Sequence, residues 1–124
     1  ISLKASGEPG AFLVMNSPLV SVVMPVRNAQ STIEKAIASL RQQSYQNLDI
    51  VLVDHASDDN SPALIKKAAG EDERIRCLRQ GGSFVEAANL AWQSARGELI
   101  ARMDSDDIAH STRKENQVGF LEAQ

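Results

Sequence analysis

Four short apolar runs divide the chain: Val20-Ser21-Val22-Val23-Met24, Ile50-Val51-Leu52-Val53, Ile75-Arg76-Cys77-Leu78 and Leu99-Ile100-Ala101-Arg102-Met103. Each has the length and aliphatic character of a strand, and helical patterns stand between them. Ile33, Ile37 and Leu40 mark one helical face after the first run, with Ser31 and Glu34 at capping-box spacing. Ser61-Pro62 predicts an N-cap and first-turn proline for a second helix that Gly70 closes. Gly81-Gly82 makes a turn, and Ser83 with Glu86 predicts another capping box. Phe84, Ala88, Ala91 and Ala95 then form the apolar stripe of a third helix ended by Gly97. Thr112 and Glu115 predict the cap of a last helix carrying Val118 and Leu121. Strands alternating with helices in this way specify βαβ units and an α/β fold with a parallel sheet. The unbroken apolar character of the strands requires cover on both faces.

The chain of 124 residues is one domain or part of one. Residues 1–19 read as a lead-in punctuated by Gly7, Pro9, Gly10 and Pro18, with residues 1–14 an extension. With 16 acidic against 13 basic residues, no basic tract and 4% aromatics, nucleic-acid binding is disfavoured. The single cysteine, Cys77, permits no disulfide within the chain and reads as a small buried hydrophobe, which fits a reducing compartment. No apolar stretch is long enough to span a bilayer, and Ala11-Phe12-Leu13-Val14-Met15 is too short for a signal sequence. The expectation is a cytoplasmic protein, with membrane attachment left to a longer parent chain.

In open sheets of this type ligands sit beyond the carboxyl ends of the strands, where strand order reverses. Here those ends carry Pro25-Val26-Arg27-Asn28, Asp54-His55 and Asp104-Ser105-Asp106-Asp107. The last set places three carboxylates within four positions. Their mutual repulsion would be relieved by a divalent cation such as Mg²⁺ or Mn²⁺, which favour oxygen ligands. The alternative is a polar turn before a helix, since Asp and Ser favour turns and caps. Asp54 is either a cap for the next loop or a contact to a ribose or base. Arg27 is either a solvated charge or a partner for a diphosphate or a base. Ser57-Asp58-Asp59-Asn60-Ser61 reads as turn and cap chemistry, Trp92 as core or interface packing and His110 as a solvated loop residue, and His55 lacks the partners of a general base. No dinucleotide fingerprint or Walker loop occurs.

Read together, three segments resemble family 2 glycosyltransferases: Val20 to Ala29, Ile50 to Asp59, and Ala95-Arg96-Gly97-Glu98-Leu99-Ile100-Ala101-Arg102-Met103-Asp104-Ser105-Asp106-Asp107. The resemblance runs from about Pro18 to the predicted last helix. It implies a GT-A fold, here a Rossmann-like, mostly parallel sheet of about four strands with helices on both faces. It also implies transfer of a sugar, with inversion, from a nucleotide diphosphate donor, usually UDP-linked, to a hydroxyl of an acceptor glycan or lipid-linked glycan. The donor-binding set it implies is Pro25, Val26, Arg27, Asn28, Asp54, His55, Asp104, Ser105 and Asp106. The metal set is Asp104, Asp106 and Asp107, holding Mg²⁺ or Mn²⁺ on the diphosphate.

Two positions depart from the family pattern. His55 stands where many relatives have a second aspartate facing the base, and Ala88 stands where many have an arginine before the asparagine matching Asn89. Relatives also possess an acceptor-binding half with the carboxylate that deprotonates the acceptor. Residues 20–124 are therefore expected to be the donor-binding half, without a catalytic base and inactive in transfer when isolated. Competing readings are a receiver-like signalling module and a degenerate domain kept for assembly. The former requires an acidic pair after the first strand, where this chain has Pro25-Val26-Arg27.

Overall fold

A computed structural model describes residues 18–105 and 121–122. The expected strands are all present: β1 Val20–Val26, β2 Leu48–Asp54, β3 Ile75–Arg79 and β4 Leu99–Arg102. Between them lie α1 Ile33–Arg41, α2 Ser61–Glu71 and α3 Phe84–Ser94. A fifth strand, β5 Leu121–Glu122, joins the sheet, whose order is β3-β2-β1-β4-β5. β1 pairs in parallel with both β2 and β4, and β2 with β3, while β5 runs antiparallel to β4.

Every residue of β1 and β2 is buried, because both strands are covered on both faces. On one face Val22, Met24, Ile50 and Leu52 pack with Ile33, Ile37 and Leu40 of α1 and Ile65 of α2. On the other, Val23, Val51, Val53 and Ile100 pack with Ala87 and Ala91 of α3. Each fully buried aliphatic side chain contributes about 1.5–3 kcal/mol by leaving water. The small residues of α3 let that helix lie close to the strands.

Several helix details differ from expectation. The N-cap of α1 is Thr32 and carries no side-chain cap bond, so the Ser31–Glu34 box is not formed. The Thr32 hydroxyl instead donates to the Ser105 carbonyl oxygen at 3.1 Å. Asn60, not Ser61, precedes α2, and the helix continues through Gly70 to Glu71. The Ser83–Glu86 capping box does form. Phe84 is not in the stripe: it is 44% exposed, because it begins α3 where the helix reaches the sheet's edge. Leu121 lies in β5, paired with Ile100, and not in a helix; Thr112, Glu115 and Val118 lie outside the described residues. Pro18 and Leu19, placed with the lead-in by sequence, join the packed body. The Tyr45 hydroxyl donates to the Pro18 carbonyl, and the Leu19 carbonyl accepts from the Glu98 N–H at 2.8 Å.

Gly97 is buried where β4 approaches β1, and its requirement is steric. A Cβ there would meet the Leu19 carbonyl oxygen and the Ser21 nitrogen, each at 2.6 Å. Both obstacles are backbone and cannot swing aside. Gly97→Ala is expected to destabilise the fold by about 1–3 kcal/mol, read as a lower midpoint in urea denaturation. An unchanged midpoint would contradict this close approach.

Candidate functional site

The strand order reverses at β1: β2 and β3 lie to one side of it, β4 and β5 to the other. The crevice rule therefore points to the carboxyl edge between β1 and β4. Two loops build that edge, one following β1 and one following β2. Each turns on a non-glycine residue in the left-handed region, Asn28 at φ 47° and Ala56 at φ 58°. The His55 N–H donates to the Val26 carbonyl at 2.9 Å, carrying the β1–β2 pairing one residue further.

Hydrogen bonds then stitch the loops together. The Asn28 N–H donates to Ser57 Oγ at 2.9 Å, and the Asp58 N–H returns a bond to Asn28 Oδ1 at 2.7 Å. The Gln30 N–H donates to Asp59 Oδ2, and the Asn60 N–H to Gln30 Oε1, each at 3.1 Å. Ser61 Oγ accepts from the buried Ala29 N–H at 2.8 Å. The Ser61 side chain, working against burial and joined by the Ser61 and Gln30 N–H groups, holds the Asp59 carboxyl below the usual carboxylate range. Asn28, Ser57, Asp58, Asp59 and Asn60 thus serve turn and cap chemistry, while the Arg27 side chain stands exposed beside them.

Asp54 closes β2, in register with Val26 on one side and Arg79 on the other. It is 1% exposed, and neither carboxylate oxygen has a hydrogen-bond partner among the described residues. A buried acceptor pair without donors is costly and marks a place where a ligand or water must supply them. His55 beside it is also buried, its Nδ1 likewise without a partner, and its ring meets Phe84 edge-on at 5.8 Å. Cys77 is partly buried, and burial first and the Asp54 carboxylate second push its thiol up.

On the other side of β1, the Met103 N–H donates to the Val23 carbonyl at 3.1 Å and extends the β4 pairing. Asp104 follows, its Oδ1 3.4 Å from an Arg102 guanidinium nitrogen. Ser105 is tied through its carbonyl to Thr32 at the start of α1. The sheet thus brings Pro25 to Asn28, Asp54, His55, Asp104 and Ser105 to one edge. Asp106 and Asp107 lie outside the described residues. Among the described residues no three of His, Cys, Asp and Glu form a group able to hold a metal ion. Asp104 offers one hard oxygen donor of the kind Mg²⁺ and Mn²⁺ accept. Three contributors escaped the sequence reading: Thr32, Phe84 and Arg102. Only Arg102 carried a signal, as a charge set inside an apolar strand.

The model of one family, glycosyl transferase family 2, matches residues 21–124. The chain belongs to that family. Its fold is that of the GT-A glycosyltransferases. A Haemophilus influenzae protein described as an uncharacterized glycosyltransferase is 35% identical over 111 residues, spanning 86% of this chain and 44% of its own length. The Escherichia coli UDP-Glc:alpha-D-GlcNAc-diphosphoundecaprenol beta-1,3-glucosyltransferase WfaP is 33% identical over 108 residues, spanning 86% of this chain and 42% of its own. Among solved structures, the mannosyltransferase PcManGT of Pyrobaculum calidifontis, in complex with GDP-Man and Mn²⁺, superposes with a TM-score of 0.66. It is 28% identical, and the match covers 73% of this chain and 28% of that one. The family 2 chain described here thus spans less than half the length of each of these relatives.

Proposed function

We propose that this family 2 domain binds a nucleotide diphosphate sugar, UDP-linked by preference, for metal-assisted, inverting transfer to an acceptor hydroxyl. The observation that carries the reading is the gathering of Asp54 and Asp104 on one edge of the sheet, flanking the β1 terminus where strand order reverses. WfaP and PcManGT, by their names and bound ligands, lend it support.

In this reading Pro25, Val26, Arg27 and Asn28 line the nucleoside, and Asp54 and His55 face the base. Asp54 is suited to accept N–H hydrogen bonds, since its own oxygens lack donors among the described residues. Asp104, Ser105 and Asp106 approach the ribose and diphosphate, and Asp104, Asp106 and Asp107 hold Mg²⁺ or Mn²⁺. When bound, the cation supplies Lewis-acid stabilisation for negative charge developing on the departing nucleoside diphosphate. The stitched loops keep the nucleoside-facing residues in place and so fix the donor's orientation. No carboxylate of residues 1–124 is given the role of deprotonating the acceptor in this reading, and these residues alone are expected to be inactive in transfer.

The acceptor class we favour is a glycan or lipid-linked glycan, in polysaccharide biosynthesis. No helix among the described residues is long and apolar enough to cross a membrane. A cytoplasmic site of action, with any membrane attachment made by a longer parent chain, fits the single cysteine.

Calorimetry against nucleotide sugars and nucleoside diphosphates, with and without Mn²⁺, tests the reading. Binding is expected to require the cation and to fall by about tenfold or more in Asp106→Ala, since a charged contact contributes roughly 1.5–3 kcal/mol. Metal-independent binding, or an undiminished Asp106→Ala variant, refutes the metal assignment. In the same titrations Arg27→Ala and His55→Asp probe the nucleoside side.

A further inference from the structure

The Phe84 ring stands open at the carboxyl edge of the sheet. Phe84, 44% exposed, and Val85, 64% exposed, are the exposed large apolar side chains among the described residues. Single apolar side chains on a surface are ordinary. Phe84 differs because several contacts fix it beside the end of β2. The loop that leads to it is tied to Asp54: the Gln80 N–H donates to the Asp54 carbonyl at 2.9 Å, and the Gly82 N–H donates to Gln80 Oε1 at 3.2 Å. The Ser83–Glu86 box then starts α3 and sets the backbone that carries the ring. The ring centre lies 5.8 Å from that of His55, with the two planes at 72°, and 5.1 Å from the Arg102 guanidinium carbon.

His55, in contact with this ring, carries a polar atom that the fold leaves unsatisfied. The residue is 6% exposed, and its Nδ1 has no hydrogen-bond partner among the described residues. Asp54, its neighbour in sequence, is 1% exposed and has none for either carboxylate oxygen. Buried polar atoms without partners are costly. Set next to an open aromatic ring, they suit a ligand that is apolar on its faces and polar at its edge. A nucleobase has that character, whereas a diphosphate has no apolar face.

We propose that Phe84 is a binding residue for the nucleobase of the donor, an aromatic wall against which the base packs while its polar edge meets the end of β2. His55 and Arg102 brace the ring. The proposal rests on the donor-binding reading above and deepens it by dividing the recognition of the base. Phe84 selects for a flat, aromatic ring, and Asp54 and His55 supply its hydrogen bonds. No metal ligand enters the proposal.

The test uses the full-length protein and calorimetry with UDP and with 5,6-dihydro-UDP, both at one Mn²⁺ concentration. The reduced base keeps its ring N–H and both carbonyls but is neither flat nor aromatic. The wild type is expected to bind UDP about five- to tenfold more tightly than dihydro-UDP, within the range that stacking one base on an aromatic side chain supplies. Phe84→Leu is expected to weaken UDP by that factor, to leave dihydro-UDP unchanged and so to lose the preference. Phe84→Trp is expected to keep it. A merely structural role for Phe84 would weaken both probes alike. Wild-type binding of UDP without a preference over dihydro-UDP, or a preference that survives in Phe84→Leu, overturns this proposal alone. Failure of the wild type to bind UDP overturns the donor reading and this proposal with it.

Discussion

Asp49→Ala is expected to lower unfolding free energy by about 3–5 kcal/mol, the usual cost of removing one partner from a buried ion pair. The Asp49 side chain is 8% exposed and lies near the start of β2. It accepts from Arg76 Nε and Nη2, each at 3.0 Å, from Ser21 Oγ at 2.7 Å and from the Arg96 N–H at 2.9 Å. Ser21 Oγ also accepts from the Gly97 N–H at 2.8 Å. This one carboxylate therefore joins β1, β2, β3 and the segment leaving α3. Its removal leaves the Arg76 guanidinium, 23% exposed and still donating to the Ser94 carbonyl, without its carboxylate, and takes an acceptor from Ser21 Oγ. Urea denaturation reads the loss, and a change below about 1 kcal/mol would rule out so central a role. Asp49→Leu combined with Arg76→Met is expected to recover much of it, since paired apolar replacements remove both desolvated charges. Because the cluster lies at the amino ends of the strands, the Kd of the folded fraction for donor should stay unchanged.

At the opposite edge the expected sign is reversed. Asp54→Asn should make the protein more stable, by about 1–3 kcal/mol, while weakening donor binding about tenfold or more. The native carboxylate is buried without a hydrogen-bond partner among the described residues, so the fold carries its desolvation cost. The amide keeps the shape and removes the charge. Thermal unfolding and calorimetry with Mn²⁺ and nucleotide sugars check the two halves independently. A less stable Asp54→Asn would mean that the carboxylate serves the fold, and unaltered donor affinity would remove Asp54 from the proposed base contact.

The pair of aspartates also shows how far residues reveal their purpose before a structure exists. Both stand within apolar strands, at Asp49 and Asp54, and local pattern alone does not separate them. The strand end gave Asp54 a meaning, because ligands gather beyond carboxyl termini in parallel sheets. Asp49 had no such marker, as its partners Ser21, Arg76 and Arg96 come from distant segments. The strands and the Ser83–Glu86 cap were legible because periodicity and spacing are local signals. Phe84 was misplaced for a related reason: helical spacing assigns a face but not whether the sheet extends beneath it. Thr32, not Ser31, precedes α1 without a side-chain cap bond, and its hydroxyl donates to the carbonyl of Ser105, a partner 73 residues away that no local spacing announces. Leu121 pairs with β4 although helical spacing suited it equally. Asp106 and Asp107, on which the metal assignment leans most, lie outside the described residues.

The cross-linking between the loops after β1 and β2 has a thermodynamic corollary. Since Asn28 and Gln30 each both donate to and accept from the neighbouring segment, neither segment can peel away without sacrificing contacts of the other. Much of the ordering entropy that a floppy rim would lose on capture of a nucleoside has already been surrendered as the chain folds. Affinity at this rim should accordingly depend on chemical complementarity more than on any rearrangement by the guest.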